Sequence, residues 1–363
     1  MRPWLLRLRR RESRIIYSRK TILIFQGVEI CCPACKGELD SAGESESILV
    51  CLACGRQYPI IFGIPDLRIC SDPYLSVDED RSKAVELVNQ FNQLDFPGLV
   101  SYYYHDKQDV PTNLIRQYTA GMMAGEARAV GAVQSWESMV GKQLLTGGAR
   151  VLEIGCGTGP LLCAVGKQGI GAVGVDVGLR WLVIGKRRLA DAGLEFPLIC
   201  ACAEALPFGD QQYDLLLSES TLENLQDQKQ ALGECARVLQ PGGYLCLSTP
   251  NKYSLGPDPH SGILAGGYLP DRWTAQIIQR RGGIPPRRRL LSAASLPALL
   301  AQAGFMHPII ALPDIPEGQR VHFSTGLRLA MDLYHRVKGL PIFRQLLRWI
   351  GPILLCVTEK PKA

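Results

Sequence analysis

The sequence predicts an α/β chain: a doubly wound, mostly parallel sheet behind a small N-terminal ribbon held by cysteines. Three observations carry this expectation. Two Cys-x-x-Cys pairs stand fifteen residues apart near the start. A glycine-rich loop follows a short apolar strand in mid-chain. Strand and helix patterns alternate after that loop. The composition agrees: 363 residues, 47% hydrophobic and 20% charged, make a globular chain with room for one medium domain and a small one. No apolar run of about eighteen residues occurs, so no spanning helix is expected. The opening MRPWLLRLRRRESR lacks the apolar core of a secretory signal. Thirteen cysteines, spread through apolar segments, are too few for a disulfide scaffold. They fit a reducing compartment, so a cytoplasmic protein is expected.

The net charge of +6 is unevenly placed. Residues 1–30 hold eight Lys/Arg against two acids, and residues 272–363 hold fourteen against four. The intervening chain is therefore net acidic. Basic ends suit phosphates of lipid or nucleic acid; the alternative is ordinary solvated helix faces.

Residues 1–29 read as a basic N-terminal segment, and the ribbon is expected over 30–68. Cys32-Pro-Ala-Cys35 and Cys51-Leu-Ala-Cys54 are two knuckles, each turning tightly enough to aim two thiolates at one tetrahedral ion. Lys36-Gly37 and Gly55-Arg56 permit those turns. Leu39 and Ile48-Leu-Val50 supply short strands. Cys32, Cys35, Cys51 and Cys54 are thus the expected ligands of one structural zinc, whose binding would supply much of the ribbon's folding free energy. Four sulfurs close the coordination sphere, so no catalysis is implied. The alternatives are four unrelated buried cysteines, or Cys31 replacing Cys32. The following Tyr58-Pro-Ile and Gly63-Ile-Pro make this segment resemble the small zinc-ribbon activator subunit of tRNA and protein methyltransferases. That resemblance implies a docking or stabilising module for a methyltransferase domain.

Residues 69–115 read as a linker leading to helices, and 116–363 as the main domain. After a helical stretch over 116–146, Val151 to Ile154 forms a strand ending in Gly155-Cys-Gly-Thr-Gly159, with Pro160 at a first-turn helix position. Such a loop alone is weak evidence, because dinucleotide-binding folds use a related one. The second strand, 172–176, ends in Asp176, an acid suited to ribose hydroxyls. A helix over 179–192, strands at 197–201 and 213–218, a helix over 228–239 and a strand at 244–248 continue the order. Helix 295–303 and strands near 306–312 and 352–358 close it, the last antiparallel. Insertions are expected at 251–294 and 314–350.

Glu153-Ile-Gly-Cys-Gly-Thr-Gly159, Asp176, Ala203-Glu-Ala-Leu-Pro-Phe208 and Val238-Leu-Gln-Pro-Gly-Gly243, in series, resemble class I S-adenosylmethionine-dependent methyltransferases. The likeness is to the group containing the ubiquinone and menaquinone methyltransferases, with a Rossmann-like sheet. The resemblance implies that Glu153, Gly155 and Gly157 lie under the methionine part of S-adenosylmethionine and that Asp176 binds the ribose. It sets Trp181 against the adenine, Cys202 and Ala203 at the adenine edge, and Ser218 and Glu219 beneath the transferable methyl. Two residues depart from the pattern. Cys202 stands where the family commonly has Asp, and Asn224 replaces a histidine. Without that histidine, His260 and His105 are the candidate bases, each against a surface or structural alternative. Asn251, Tyr253, Asp258 and His260 are expected to face the acceptor.

The sequence thus predicts a methyltransferase acting on a small-molecule, lipid or glycan acceptor, at oxygen. Methylation of tRNA or rRNA and a non-catalytic cofactor-binding scaffold are the alternatives. The basic, apolar helices expected at 325–338 and 341–350 suit either peripheral membrane contact or a cap over the domain.

Overall fold

The computed structural model describes residues 23–42, 47–105, 112–256, 258, 262–312, 325–337 and 339–362. The basic segment 1–22 and His260 lie outside them. A hairpin of β1 (Leu23–Phe25) and β2 (Val28–Ile30) opens the described chain. An antiparallel sheet follows, of β3 (Leu39–Ala42), β4 (Ile48–Cys51), β5 (Gln57–Ile61) and β6 (Ile64–Pro65). Strand alternation turns Leu39, Leu49 and Tyr58 inward, all buried.

Four helices come next: α1 (Val77–Gln90), α2 (Phe96–His105), α3 (Thr112–Met123) and α4 (Gly125–Val140). Ser76 caps α1 in a capping box with Glu79, and Gly141, at φ 66°, ends α4. The main sheet contains β7 (Val151–Ile154), β8 (Ala172–Asp176), β9 (Leu198–Cys200), β10 (Tyr213–Glu219) and β11 (Leu239–Pro250). It is completed by β12 (Met306–Ala311) and β13 (Ile353–Glu359). Its order is β12-β13-β11-β10-β7-β8-β9, with only β13 antiparallel to its neighbours. Helices α5 (Pro160–Gly166), α6 (Leu179–Asp191) and α7 (Gln228–Val238) make the crossovers. The order reverses between β7 and β10, so the crevice at their carboxyl ends is the place for a ligand. Residues 240–243, between the expected helix 228–239 and strand 244–248, belong to β11, with a register shift: Tyr213 pairs with Leu239, then Leu215 with Tyr244.

The ribbon packs on its own chain. Its Ile30, Leu39, Leu49 and Leu67 share one hydrophobic cluster with Leu152, Val173, Ile199 and Phe208 of the main domain. Cys31 N–H donates to Pro207 O (2.9 Å), and Lys36 Nζ reaches Leu206 O (2.9 Å) and Glu234 (2.8 Å). The ribbon's exit adds to the sheet: Asp66 bridges Cys200 in parallel, and Leu67 N–H donates to Cys200 O at 2.7 Å.

A buried ionic network secures that exit. Arg68 grips Asp66 bidentately (2.7 Å twice) and donates to Asp80 (2.7 Å) and Val177 O (3.1 Å). Asp80, fully buried, also accepts from Leu179 N–H (2.8 Å) and Arg180, which reaches Asp72 at 3.2 Å. Burial pushes the Asp66 pKa up, but Arg68 and Arg81 more than offset this and hold it below the usual range. Cys70 and Cys202 are joined by a disulfide, so Cys202 is not the thiol its sequence position suggested.

In the 251–294 insertion, Gly267 lies against the backbone so closely that a Cβ there would fall 1.7 Å from Lys252 O. Helix α8 (Asp271–Arg280) follows, then α9 (Ser295–Gln302). In the 314–350 insertion, α10 (Thr325–Val337) and α11 (Pro341–Ile350) are described; 313–324 are not.

Asp80→Ala leaves Arg68 and Arg180 buried without their shared partner. It should cost about 3–5 kcal/mol in urea unfolding. A loss under about 1 kcal/mol would mean that water solvates the two arginines, as at an exposed pair.

Candidate active site

The carboxyl ends of β7, β8, β9 and β10 converge on a cleft of about 610 Å³. Its floor is the glycine loop after β7. Gly155 has φ 74°, and a Cβ there would meet Thr221 at 2.1 Å, so only glycine fits both the conformation and the space. Behind the loop, α6 approaches so closely that a Cβ on Gly185 would lie 3.1 Å from Gly157 O. The Asp176 carboxylate binds the two loops together, accepting from Gly157 N–H (2.8 Å) and Gly178 N–H (2.7 Å). Its remaining lone pairs are available to hydroxyl donors in the cleft.

Of the residues expected from sequence to hold the cofactor, Gly155, Asp176, Trp181 and Ala203 line this cleft. Gly157 meets it through Asp176. Glu153 is buried beneath the loop, 2% exposed. Ser218 and Glu219 close β10, next to the cleft-lining Ser220 and Thr221, and Glu219 pairs with Arg128 at 3.7 Å. Cys202 is 2% exposed and bonded to Cys70, so no free thiol stands at the expected adenine edge. Burial, with Glu219 and Asp176 nearby, raises the Glu153 pKa well above the carboxylate range. Burial also raises Asp176 and Glu219.

The expected acceptor residues sit elsewhere. Asn251 is buried and donates to Trp349 O and Gly351 O, both at 2.9 Å. Tyr253 packs against Tyr268 with the ring centroids 5.4 Å apart, and Asp258 pairs with Arg288. None of the three lines the cleft, nor does His105 at the end of α2.

The cleft instead takes walls from segments read as linker or insertion. Residues 70–75 form one side, and Tyr103, Tyr104 and Tyr118 of α2 and α3 another. Tyr103 packs on Trp181 at 4.7 Å. Burial raises the Tyr104 and Tyr118 pKa values, so these tyrosines stay neutral hydrogen-bond partners. Arg281 and Ile284 of the 251–294 insertion complete the mouth, where Arg287 bonds Pro73 O (3.2 Å) across it. The run Tyr102-Tyr-Tyr104 was visible in the sequence, but nothing local said which element it would face.

In the ribbon, the four sulfurs of Cys32, Cys35, Cys51 and Cys54 lie within 4.8 Å of one another. Cys32 is 3.8 Å from Cys54, and Cys35 is 3.5 Å from Cys51. A zinc–sulfur distance of about 2.3 Å gives a tetrahedral edge of about 3.8 Å. The residues therefore fit such an ion, and Cys31 is outside the group.

Residues 152–247 match the family model described as a methyltransferase domain. Over 28% of its length the chain is 42% identical to a ubiquinone/menaquinone biosynthesis C-methyltransferase of Laribacter hongkongensis, covering 42% of that protein. It is 30% identical to a ubiquinone biosynthesis O-methyltransferase of Dinoroseobacter shibae over 43% of its length, covering 60% of the relative. A solved SAM-dependent methyltransferase of Thermotoga maritima aligns with a TM-score of 0.42 and 19% identity, over 68% of this chain and 95% of that one. The chain spans about half the length of the curated relatives it matches. Within residues 152–247 the chain thus carries a methyltransferase domain.

Asp176→Ala should weaken S-adenosylmethionine binding by about tenfold or more, the worth of a charge-assisted bond, and should also lower the melting temperature, because the Gly157 and Gly178 N–H groups lose their acceptor. Unchanged affinity in calorimetry would remove Asp176 from the ribose contact. Glu153 makes a second prediction. Its folded pKa lies above the unfolded value, so the folded chain holds the extra proton between the two. Stability contributed this way is present at low pH and lost as pH rises through the raised value. The melting temperature of cofactor-free Glu153→Gln should therefore fall less than wild type between about pH 5 and about pH 8. Parallel profiles would place the buried proton on another group.

Proposed function

We propose that this chain transfers the methyl of S-adenosylmethionine to a small-molecule, lipid or glycan acceptor, at oxygen. The observation that carries the reading is the cleft at the sheet's switch point, with Asp176 tying the glycine loop to the start of α6. The sulfonium methyl is already activated, so the chain's main task is to align a nucleophile with it and exclude water. The walls from 70–75, α2 and α3 serve exclusion. The three tyrosines offer an aromatic, hydrogen-bonding surface to an acceptor. His260 is the proposed base, accepting the acceptor's proton as the oxygen–carbon bond forms. The curated relatives include both C- and O-methyltransferases.

The cysteine cluster is proposed to hold one structural zinc. Bound zinc would stabilise the ribbon, which forms a face of the shared core. Metal analysis of purified protein should find about one zinc per chain. None, in protein purified without chelator, would remove the zinc assignment.

The decisive assay is turnover with methyl-labelled cofactor on cell extract separated into lipid, small-molecule and RNA fractions. Label in the lipid or small-molecule fraction is the expected result, with a sharp loss in His260→Ala. Label in RNA alone would overturn the acceptor assignment.

A further inference from the structure

The exposed apolar residues of the molecule are concentrated in one region. Of the twenty-four large hydrophobic side chains exposed among the described residues, fifteen fall between 251 and 350. On α11, Ile342, Leu346 and Trp349 stand at helical spacing on one side, and Ile342 is 82% exposed. The opposite side is fixed to the domain. Arg348 Nε donates to Ile310 O at 2.8 Å, and Gly351 is so close to Leu312 that a Cβ would meet it at 2.6 Å. The apolar stripe therefore cannot turn inward. On α10, Leu329 and Leu333, four residues apart, are 66% and 61% exposed.

The end of α11 is bonded to the insertion that also supplies the mouth of the cleft. Leu255 N–H donates to Ile350 O (3.0 Å), which joins the end of α11 to the 251–294 insertion. Within that insertion Tyr268 Oη donates to Tyr253 O (2.9 Å), just before α8. Trp273 on α8 is 50% exposed, and Ile284, which lines the mouth, is 68% exposed.

The same elements are strongly basic. Residues 325–350 hold five Lys/Arg against one acid, and 271–289 hold six Arg against one acid. Arg281, at the mouth, is exposed and has no side-chain partner among the described residues. Short helices that expose Leu, Ile, Phe and Trp within a basic stretch of sequence are suited to lying in the plane of a lipid interface. The basic excess is complementary to anionic headgroups.

We propose that the exposed apolar side chains of α8, α10 and α11 dock on an anionic membrane surface, with the mouth of the cleft beside it. Resting on the methyl-transfer reading above, this makes the acceptor a lipid presented by the bilayer.

The test is flotation of the full chain with vesicles of phosphatidylcholine alone, or mixed with phosphatidylglycerol. Binding to the mixed vesicles is expected, weakened by salt and by roughly tenfold or more in Ile342→Glu/Leu346→Glu. Cofactor affinity by calorimetry should be unchanged in that variant, showing that it folds. Trp273→Glu, on a separate helix, should give a second loss. Equal binding of wild type and both variants would assign the attachment to another basic segment and overturn the proposal. Failure to bind mixed vesicles would do the same. So would a dimer in size-exclusion chromatography that the double variant dissociates, since the face would then belong to a second copy. These outcomes are read without turnover. A chain that labels a water-soluble acceptor but ignores vesicles loses the docking proposal and keeps the methyl-transfer one.

Discussion

The fully buried Asp80 carboxylate is the point through which the two parts of this molecule are held in register. It takes hydrogen bonds from Arg68, which leaves the ribbon, and from Arg180 and Leu179 N–H, at the start of the helix behind the cofactor loop. Neither arginine has water to solvate it, so each depends on the carboxylates placed between them. Asp66 and Asp72 share the load, and Arg68 also reaches Val177 O, next to Asp176. The ribbon exit and the loop after β8 are therefore joined by one buried network.

Several features follow from that constraint. Residues 70–75 run directly from the network into the wall of the cleft, and the Cys70–Cys202 bridge fixes them to the loop after β9. A segment with the polarity of a linker becomes part of the site because its ends are secured. The ribbon is likewise more than an appendage. Its hydrophobic face and the sheet's share one cluster, so the folding of each removes the other's apolar surface from water. Core formation in the ribbon and the shape of the cleft are coupled by contact.

The sheet was legible because its signals are local. Val151 to Ile154, Ala172 to Asp176 and Tyr213 to Ser218 are short apolar runs bounded by glycine or polar turns, and they fold as strands within one or two residues of their expected limits. The four-cysteine cluster was legible for the same reason: spacing within each knuckle sets the geometry. Gly155 and Asp176 could be placed because loop and strand end are defined by their own sequence neighbours. The acceptor-side residues were not. Asn251 looked exposed in a Gly/Pro-rich loop, yet the carbonyls of Trp349 and Gly351, about a hundred residues away, draw it into the interior. Asp258 was similarly taken by Arg288. Cys202 was read as a thiol because nothing near it in sequence announced Cys70, 132 residues earlier.

By itself, then, the sequence determined the alternation of strands and helices, the glycine loop, the acid that ends β8 and the cysteine cluster, since each depends on contacts within a few residues. Only the tertiary structure decided what encloses the cleft, where the ribbon sits and which polar groups are already paired. Those outcomes depend on partners distant in the chain, and burial makes the pairing of each polar group obligatory without revealing from sequence which partner it will find.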